Sequence, residues 1–408
     1  MLDLVIGNVH IADQPHPVDI GLSGSRIAAI EPHIAADAPR HDMCGHFAFG
    51  GFVDSHIHLD KACILDRCMI CEGTLEEAVR ETAKAKVGFT VEDVHARAAR
   101  VVEKAIVNGT IAMRAFVEID PRAGFRSFDA IRQIKKEFAW AIDIQICAFA
   151  QEGLNNEPET AEMLGQALMS GADLIGGCPY TDPDPDRHIR WIFDLAERHD
   201  VDVDFHLDFD LDPKNSAIPS VIAETRRRNY AGRVSIGHVT KLSAMPRTAV
   251  EAIADQLGET GIAVTVLPAT DMFLLGRERD HLVPRGIAPA MLLAGRGVTV
   301  TAATNNVLNP FTPYGDASLS RMANLFANAA QLSRDEDVIV AFDMVATSAA
   351  RLMRRDHTLK PGSPADIVIL DAENACSAIR EIGLPLAGWK GGRQTFSRPK
   401  PNLIWPTR

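Results

Sequence analysis

The sequence predicts an α/β fold: a TIM-type (β/α)8 barrel with a small β-sandwich domain built from both termini. Short runs rich in β-branched residues alternate with longer segments of helical spacing between residues 50 and 357. Residues 1–49 and 358–408 instead show strand-like alternation interrupted by turn residues. We therefore expect the barrel to span 50–357 and the β-sandwich to combine 1–49 with 358–408.

The middle of the chain contains eight candidate strands. The clearest of these patterns lie at 142–149, 201–206, 233–238 and 297–302. Segments of helical spacing lie between them, for example at 91–107 and 159–169. The candidate strands end, in chain order, near His58, Asp120, Gln151, Tyr180, Asp208, Thr240, Thr270 and Asn306. Because the strands of such a barrel run parallel, these ends are expected to meet at one face.

Short strands are also predicted in the two terminal segments. They lie at 18–22 and 26–30 near the start of the chain and at 364–370 and 389–396 near its end. Strands from the two termini can pair with one another, which is why a single small β domain beside the barrel is expected.

The charge balance argues against two classes of partner. The chain carries 42 Lys and Arg against 54 Asp and Glu, a net charge of −12 with histidine neutral, and it has no basic tract. Binding to nucleic acid or to an anionic membrane draws its affinity from clustered cations. We therefore expect neither of them as a partner.

The cysteine pattern and the first residues predict a cytoplasmic protein. The seven cysteines are an odd number spread along the chain, unlike the disulfide framework of a small secreted protein. Residues 1–7 lack the basic and long apolar segments of a signal peptide, and no apolar run approaches the length of a membrane span.

Four of the fourteen histidines lie at predicted strand ends. His56 and His58 are one residue apart, and because strand side chains alternate, both imidazoles are expected to point into the barrel. His206 closes the fifth candidate strand and His238 lies near the end of the sixth. Four converging imidazoles suit a divalent ion such as zinc or iron(II).

The alternative interpretation of any one of these histidines is a hydrogen-bonded side chain in a loop. That interpretation is the better one for a lone histidine. It is much weaker for four histidines at one catalytic face, because clusters of buried histidines without a function are rare. The cluster therefore predicts a metal site.

Several segments resemble the amidohydrolase superfamily. They are HIHLDK at 56–61, AFAQEG at 148–153, His206, His238 and KPGSPADIV at 360–368. The resemblance covers nearly the whole chain and is strongest to bacterial cytosine deaminases and the related N-isopropylammelide amidohydrolase. It implies a small-molecule substrate and a homo-oligomer.

The resemblance also implies roles for particular residues. A single metal ion, zinc or iron with manganese as a further option, would be held by His56, His58 and His206. His238 would orient the attacking water or polarise the substrate. Two other side chains would contact a heterocyclic substrate: Gln151, through a hydrogen bond to the ring, and Phe311, from the pocket wall.

Four residues depart from the pattern of the relatives. One of them, Phe116 in the second predicted strand, stands where a histidine is usual and is expected to affect packing more than chemistry. Asn305 occupies the position of a metal-bound aspartate, and an amide cannot take a proton from water. Asn306 replaces a second aspartate that contacts the substrate. Phe209 replaces a glutamate that shuttles protons to the ring, so cytosine itself is not expected to be the substrate.

Two nearby residues, Asp208 and Lys61, each have two alternative roles. Asp208 follows His206 by two residues, and strand alternation would place it on the interior face as a replacement base. Equally, Asp208 can fix the tautomer of a histidine. Lys61 can bind an anionic group of the substrate, or it can be a solvated lysine in a loop.

Two functions are consistent with this sequence. The first is a metal-dependent hydrolase that cleaves a C–N bond in a small nitrogen-containing compound, by deamination or by hydrolysis of an amide or N-substituent. The second is a catalytically degenerate binding protein that keeps the fold, as Asn305 and Phe209 suggest. The four intact histidines favour the enzyme, since buried imidazoles without a ligand are costly.

Overall fold

The computed structural model describes residues 1–12 and 14–405, and within them the chain forms fifteen β-strands. The first four strands are β1 (Leu4–His10), β2 (Val18–Ser23), β3 (Arg26–Glu31) and β4 (Arg40–Phe49). The next eight are β5 (Phe52–Ile57), β6 (Thr110–Glu118), β7 (Asp143–Ala150), β8 (Leu174–Gly177), β9 (Asp202–Leu207), β10 (Val234–His238), β11 (Ala263–Val266) and β12 (Val300–Ala302). The last three are β13 (Ile367–Leu370), β14 (Pro385–Lys390) and β15 (Arg393–Ser397).

Strands β5 to β12 form a parallel eight-stranded barrel in which each strand pairs with the next along the chain. The barrel is closed by a parallel bridge between Ile57 and Asn305, beside the ends of β5 and β12. There the backbone N–H of His58 donates to the carbonyl of Asn305 at 2.7 Å, and the N–H of Asn305 donates to the carbonyl of His56 at 2.8 Å. The predicted barrel is confirmed.

Most of the helices connect or follow the barrel strands and pack around them, and the last one lies between β13 and β14. In the described residues they are α1 (Leu75–Lys86), α2 (Val91–Val107), α3 (Arg126–Glu137), α4 (Glu159–Met169), α5 (Pro185–His199), α6 (Ile218–Arg227), α7 (Arg247–Thr260), α8 (Pro268–Leu274), α9 (Ala290–Gly295), α10 (Leu319–Ala329), α11 (Asp335–Asp343), α12 (Thr347–Leu352) and α13 (Ala375–Arg380). The helix α2 shows how the sequence specifies where a helix begins and which face it buries. The Thr90 side chain accepts from the N–H of Asp93 and caps the helix, and one apolar face, including Val94, Ala98 and Val101, is buried.

The two terminal segments form one seven-stranded sheet with the order β15-β14-β13-β4-β1-β2-β3. Within it β1 pairs with β4 in parallel and the other neighbours pair antiparallel. Its own core is built from alternating apolar side chains such as Ile6, Ile20, Ile367 and Trp389. The division into two domains at residues 49 and 357 stays a prediction, because the barrel core also takes in Phe49 and other residues of this sheet.

A buried carboxylate holds the terminal sheet together at Asp19 in β2. It accepts from the backbone N–H groups of Asn8 and Ile34 and from both terminal nitrogens of Arg40. Burial alone would raise the pKa of Asp19, but the hydrogen bonds from Arg40, Ile34 and Asn8 bring it down to about 2.

Asp19→Asn is expected to lower the free energy of unfolding at pH 7 by about 2 kcal/mol. Because the folded-state pKa lies below the unfolded value, this contribution is present above about pH 4 and is lost as the pH falls to about 2. Urea unfolding at pH 7 and pH 3 measures it. The exposed Asp37→Asn serves as the control. Equal stability of Asp19→Asn and Asp37→Asn at pH 7 would contradict the assignment.

No helix in the part of the chain that the structure describes combines the length and the apolar character needed to cross a bilayer.

Candidate active site

Three histidines converge inside the carboxyl end of the barrel. His56 lies in β5, His58 follows that strand directly, and His206 lies in β9. The Nε2 atom of His206 is 3.1 Å from the Nε2 atoms of both His56 and His58. Strand alternation brings the first two rings to one side, and the closed barrel brings the third ring opposite them.

The donor set fits a divalent ion. Ligand atoms about 2.0–2.1 Å from a tetrahedral zinc ion lie roughly 3.3 Å apart, close to the separations of these Nε2 atoms. Burial lowers the pKa of all three histidines well below its usual value, which keeps the imidazoles in the neutral form that binds metals. The Asn305 Oδ1 atom is also buried and has no hydrogen-bond partner among the described residues.

His238 is held by an acid that sequence analysis missed. Its backbone is left-handed, with φ of 69°, and its Nδ1 lies 2.7 Å from Oδ1 of Asp271 in α8. The contact fixes the proton on Nδ1 and leaves Nε2 facing the cavity. Burial raises the pKa of Asp271, and the neighbouring His238 counteracts that rise. Asp271 comes one residue after the predicted strand end at Thr270, which was the signal available in the sequence.

The two asparagines after β12 lie at the cavity floor. Asn305 adopts a left-handed φ of 59° and is fixed by its backbone bonds to β5. Asn306 accepts a hydrogen bond at 2.7 Å from the amide of Asn309, a residue that sequence analysis did not single out. The Asn309 oxygen accepts from the backbone N–H groups of Phe311 and Thr312, so it shapes the loop that carries Phe311.

Lys61 is buried at 2% exposure, which excludes the alternative of a solvated loop lysine. Its Nζ donates to Oε1 of Glu118 at 2.6 Å and to Oε1 of Gln151 at 3.2 Å. Burial alone would raise the pKa of Glu118, but Lys61 and Lys86 hold it at about 2. The carboxylate of Glu118, which sequence analysis missed, therefore positions Lys61 beside Gln151.

A second group of acids lies behind Lys61 and consists of Glu118, Asp120 and Glu152. The Nζ atom of Lys86 contacts all three carboxylates and occupies the space between them. This cluster is a buried ion-pair network. Glu152 belongs to this network, because its carboxylate pairs with Lys86 and Arg122.

Asp208 does not share the interior face with His206, contrary to the expectation from strand alternation. β9 ends at Leu207, and Asp208 adopts a left-handed φ of 53°, which turns its side chain away. Its carboxylate accepts from Oγ of Ser216 at 2.5 Å and from the backbone N–H of Ala217 at 2.9 Å. Ala217 precedes α6, so Asp208 anchors the start of that helix.

Asp208→Asn is therefore expected to weaken folding rather than catalysis. We expect the free energy of unfolding to fall by about 1 kcal/mol, the scale of one hydrogen bond. We also expect kcat to stay nearly unchanged, whereas loss of a general base costs about 10²- to 10⁴-fold. Steady-state kinetics and urea unfolding measure the two effects. A hundredfold fall in kcat with unchanged stability would restore Asp208 as a base.

The site residues line a narrow cavity of about 10 Å³, which is the space that one water molecule needs. The apolar side chains of Phe209 and Phe311 form part of its wall, as does Tyr180, which sequence analysis noted only as a strand end. The described residues that line it are His58, Lys61, Leu75, Gln151, Tyr180, His206, Phe209, His238, Thr270, Asn305, Asn306 and Phe311.

Solved structures share this architecture over nearly their whole length. The 5-methylcytosine deaminase of Klebsiella pneumoniae superposes with a TM-score of 0.94 at 26% identity, covering 98% of this chain and 99% of that one. N-isopropylammelide isopropylaminohydrolase of Burkholderia multivorans gives a TM-score of 0.86 at 26% identity, covering 97% and 98%. In sequence, N-isopropylammelide isopropyl amidohydrolase of Pseudomonas sp. (strain ADP) is 25% identical over 402 residues, 96% of each chain.

The family assignment follows from a match to most of the chain. The model of the amidohydrolase family matches residues 112–396, which include His206, His238 and Asn305. The predicted resemblance and the predicted hydrolase class are confirmed. This chain belongs to the amidohydrolase family.

Proposed function

We propose that this protein is a metal-dependent hydrolase that cleaves a C–N bond in a small nitrogen-containing heterocycle. One observation carries the proposal. At the carboxyl end of the barrel, the Nε2 atom of His206 lies 3.1 Å from the Nε2 atoms of both His56 and His58. These three histidines would hold one divalent ion, zinc or iron, with manganese as a further option.

A divalent ion, when bound, supplies Lewis acidity that makes water a nucleophile near neutral pH. The chain's own residues supply the proton transfers. His238 presents Nε2 to the cavity while Asp271 holds its Nδ1, so the ring can take a proton from the nucleophile and return it to the leaving nitrogen. The Asn305 oxygen, which has no hydrogen-bond partner among the described residues, is able to accept a hydrogen bond from a ligand but cannot store a proton.

Binding and orientation of the ring fall to the opposite side of the cavity. Lys61 and Gln151 are joined by a hydrogen bond at 3.2 Å and offer polar contacts to the ring edge. Phe209 and Phe311 offer apolar surface to a flat ring and exclude water. We infer that these four side chains, together with Asn306, determine which compound is bound.

The names of the relatives support a heterocyclic substrate and both types of reaction. A deaminase and an N-isopropylammelide isopropylaminohydrolase share the fold and 26% of the residues, and an N-isopropylammelide isopropyl amidohydrolase is 25% identical in sequence. Cytosine itself is not the proposed substrate, because Phe209 stands where the resemblance to cytosine deaminases implies a proton-shuttling glutamate. The Phe209 ring is buried against His238, with ring centroids 4.0 Å apart.

A second candidate function is a small-molecule binding protein without catalysis. Asn305 favours it, because this amide is hydrogen-bonded through its backbone beside His56 and His58 and cannot act as a base. The His238–Asp271 pair favours the enzyme, since an imidazole whose tautomer is fixed by a carboxylate commonly acts as a general acid or base.

Metal content and product release together test the proposal. The protein is purified without added metal, analysed by mass spectrometry for bound elements, and assayed with a panel of amino- and alkylamino-heterocycles for release of ammonia or amine. We expect about one equivalent of metal and release from a subset of rings, lost after chelation and restored by the metal. Bound metal without release from any ring would favour the binding protein, and no metal even after reconstitution would contradict the hydrolase.

A further inference from the structure

A second cavity lies at the amino end of the barrel, on the side opposite to the converging histidines. Its walls come from residues at or just before the starts of β9, β10, β11 and β12, from α12 and the turn after it, and from Arg114 in β6. The cavity has a volume of about 220 Å³, which is room for several water molecules. None of its lining residues belongs to the candidate active site.

Arginines dominate the charged side chains that line this second cavity. Among the described residues it is lined by a single acid, Asp202, and by four arginines: Arg114, Arg233, Arg351 and Arg354. The chain as a whole carries a net charge of −12, so its composition does not account for such a concentration of positive charge. Clefts lined by one sign of charge attract ligands of the opposite sign.

Asp202 neutralises part of this charge. Its Oδ1 accepts from Nε of Arg233 at 2.9 Å, and its Oδ2 lies 2.8 Å from a terminal nitrogen of Arg354. Arg233 also forms an ion pair with Asp200 at 2.7 Å. Two acids therefore match the charges of Arg233 and Arg354, and both carboxylates are already engaged.

Arg114 is a rigid donor in the inner wall of the cavity. It is buried at 3% exposure and donates to Oδ2 of Asp204 at 2.5 Å and to Oγ of Ser235 at 3.1 Å. Its Nε and its second terminal nitrogen both donate to Oε1 of Gln145. Four of its five N–H groups are thus used, and these contacts fix the orientation of the fifth.

Arg351 supplies the positive charge that no acid matches. It lies in α12, and its neighbours Arg354 and Arg355 both pair with acids. Within the part of the chain that the structure describes, the guanidinium of Arg351 has neither an ion pair nor a hydrogen bond. All five of its N–H groups therefore remain for a ligand. An anion in the cavity would supply the missing partner.

We propose that this cavity binds a doubly charged oxyanion, a phosphate group or a dicarboxylate, through Arg114, Arg351 and Arg354. Guanidinium groups are planar and match the oxygens of phosphates and carboxylates with paired N–H···O bonds. A cation would add to the positive charge, and a neutral molecule would leave it unmatched. The site is independent of the proposed function, because it lies at the other end of the barrel and its test involves no turnover.

Two simple anions, inorganic phosphate and malonate, provide the test. Each is titrated into the metal-loaded protein in a calorimeter at pH 8 and constant ionic strength, so that screening is the same throughout. We expect one equivalent of at least one of them to bind. Tighter binding of phosphate identifies a phosphate group as the ligand, and tighter binding of malonate a dicarboxylate. A dissociation constant above about 1 mM for both anions would overturn the proposal.

Arg351→Met locates the bound anion, with Arg247→Met as the matched control that removes the same charge from an exposed arginine outside the cavity. We expect Arg351→Met to weaken binding at least about tenfold, the scale of one hydrogen bond to a charged group, and Arg247→Met to bind as the wild type does. If circular dichroism shows that Arg351→Met does not fold, Arg354→Met replaces it. Unchanged binding would place the anion elsewhere, for example at the metal, and an equal loss in the control would indicate unspecific attraction. Either result would overturn the proposal.

Discussion

Asp271→Asn is expected to lower kcat by about 10²- to 10⁴-fold, the range of general acid–base catalysis, while the bound metal stays unchanged. The reason is geometric. The Asp271 carboxylate accepts from Nδ1 of His238 at 2.7 Å, and an amide in its place can turn its own N–H toward the ring and favour the wrong tautomer. His238 would then present a hydrogen where it has to accept one.

Kinetics and metal analysis distinguish this role from a structural one. We expect the fall in kcat with little change in KM, an altered pH profile of kcat and one equivalent of metal. Asp280→Asn, at an exposed aspartate that contacts the exposed His281, is the control and is expected to behave as wild type. A variant at position 271 that keeps its kcat, or loses kcat only together with its metal, would contradict the assignment of His238 and Asp271 to proton transfer.

The double variant His56→Ala/His58→Ala is expected to lose the metal and at least about 10³-fold of activity, since the ion supplies several kcal/mol of charge stabilisation. These two side chains provide two of the three nitrogen ligands, and the third, from His206, cannot hold an ion alone. Metal content falls from about one equivalent to nearly none, as mass spectrometry measures directly.

The control for this double variant is His281→Ala, which removes an exposed histidine outside the site. It is expected to retain the metal and the activity. Circular dichroism and thermal unfolding establish whether each variant is folded. A folded double variant that keeps one equivalent of metal would mean that the ion is held elsewhere.

The barrel and its histidines were predictable because their signals are local. β-branched runs mark the strands, and parallel strands in a barrel must direct their carboxyl ends to one face. From this rule His56, His58, His206 and His238 were expected to meet at one face. The Nε2 atoms of the first three do meet, and the His238 ring lies 5.5 Å from that of His206. The pairing of the two termini in one sheet followed from short strands at both ends of the chain.

Other features of the site depend on geometry that a linear pattern does not carry. Strand alternation failed at Asp208 because β9 ends one residue earlier and the backbone turns left-handed. Glu118 and Asp271 were missed because their partners, Lys61 and His238, lie 57 and 33 residues away in sequence. The burial of Lys61 depends on those same distant contacts.

The most direct test of the central claim is diffraction from crystals of the metal-loaded protein on either side of the absorption edge of the bound metal. We predict one anomalous peak within bonding distance of the Nε2 atoms of His56, His58 and His206. No peak at these nitrogens in protein that contains one equivalent of metal, or a peak at Glu118, Asp120 and Glu152 instead, would contradict the account.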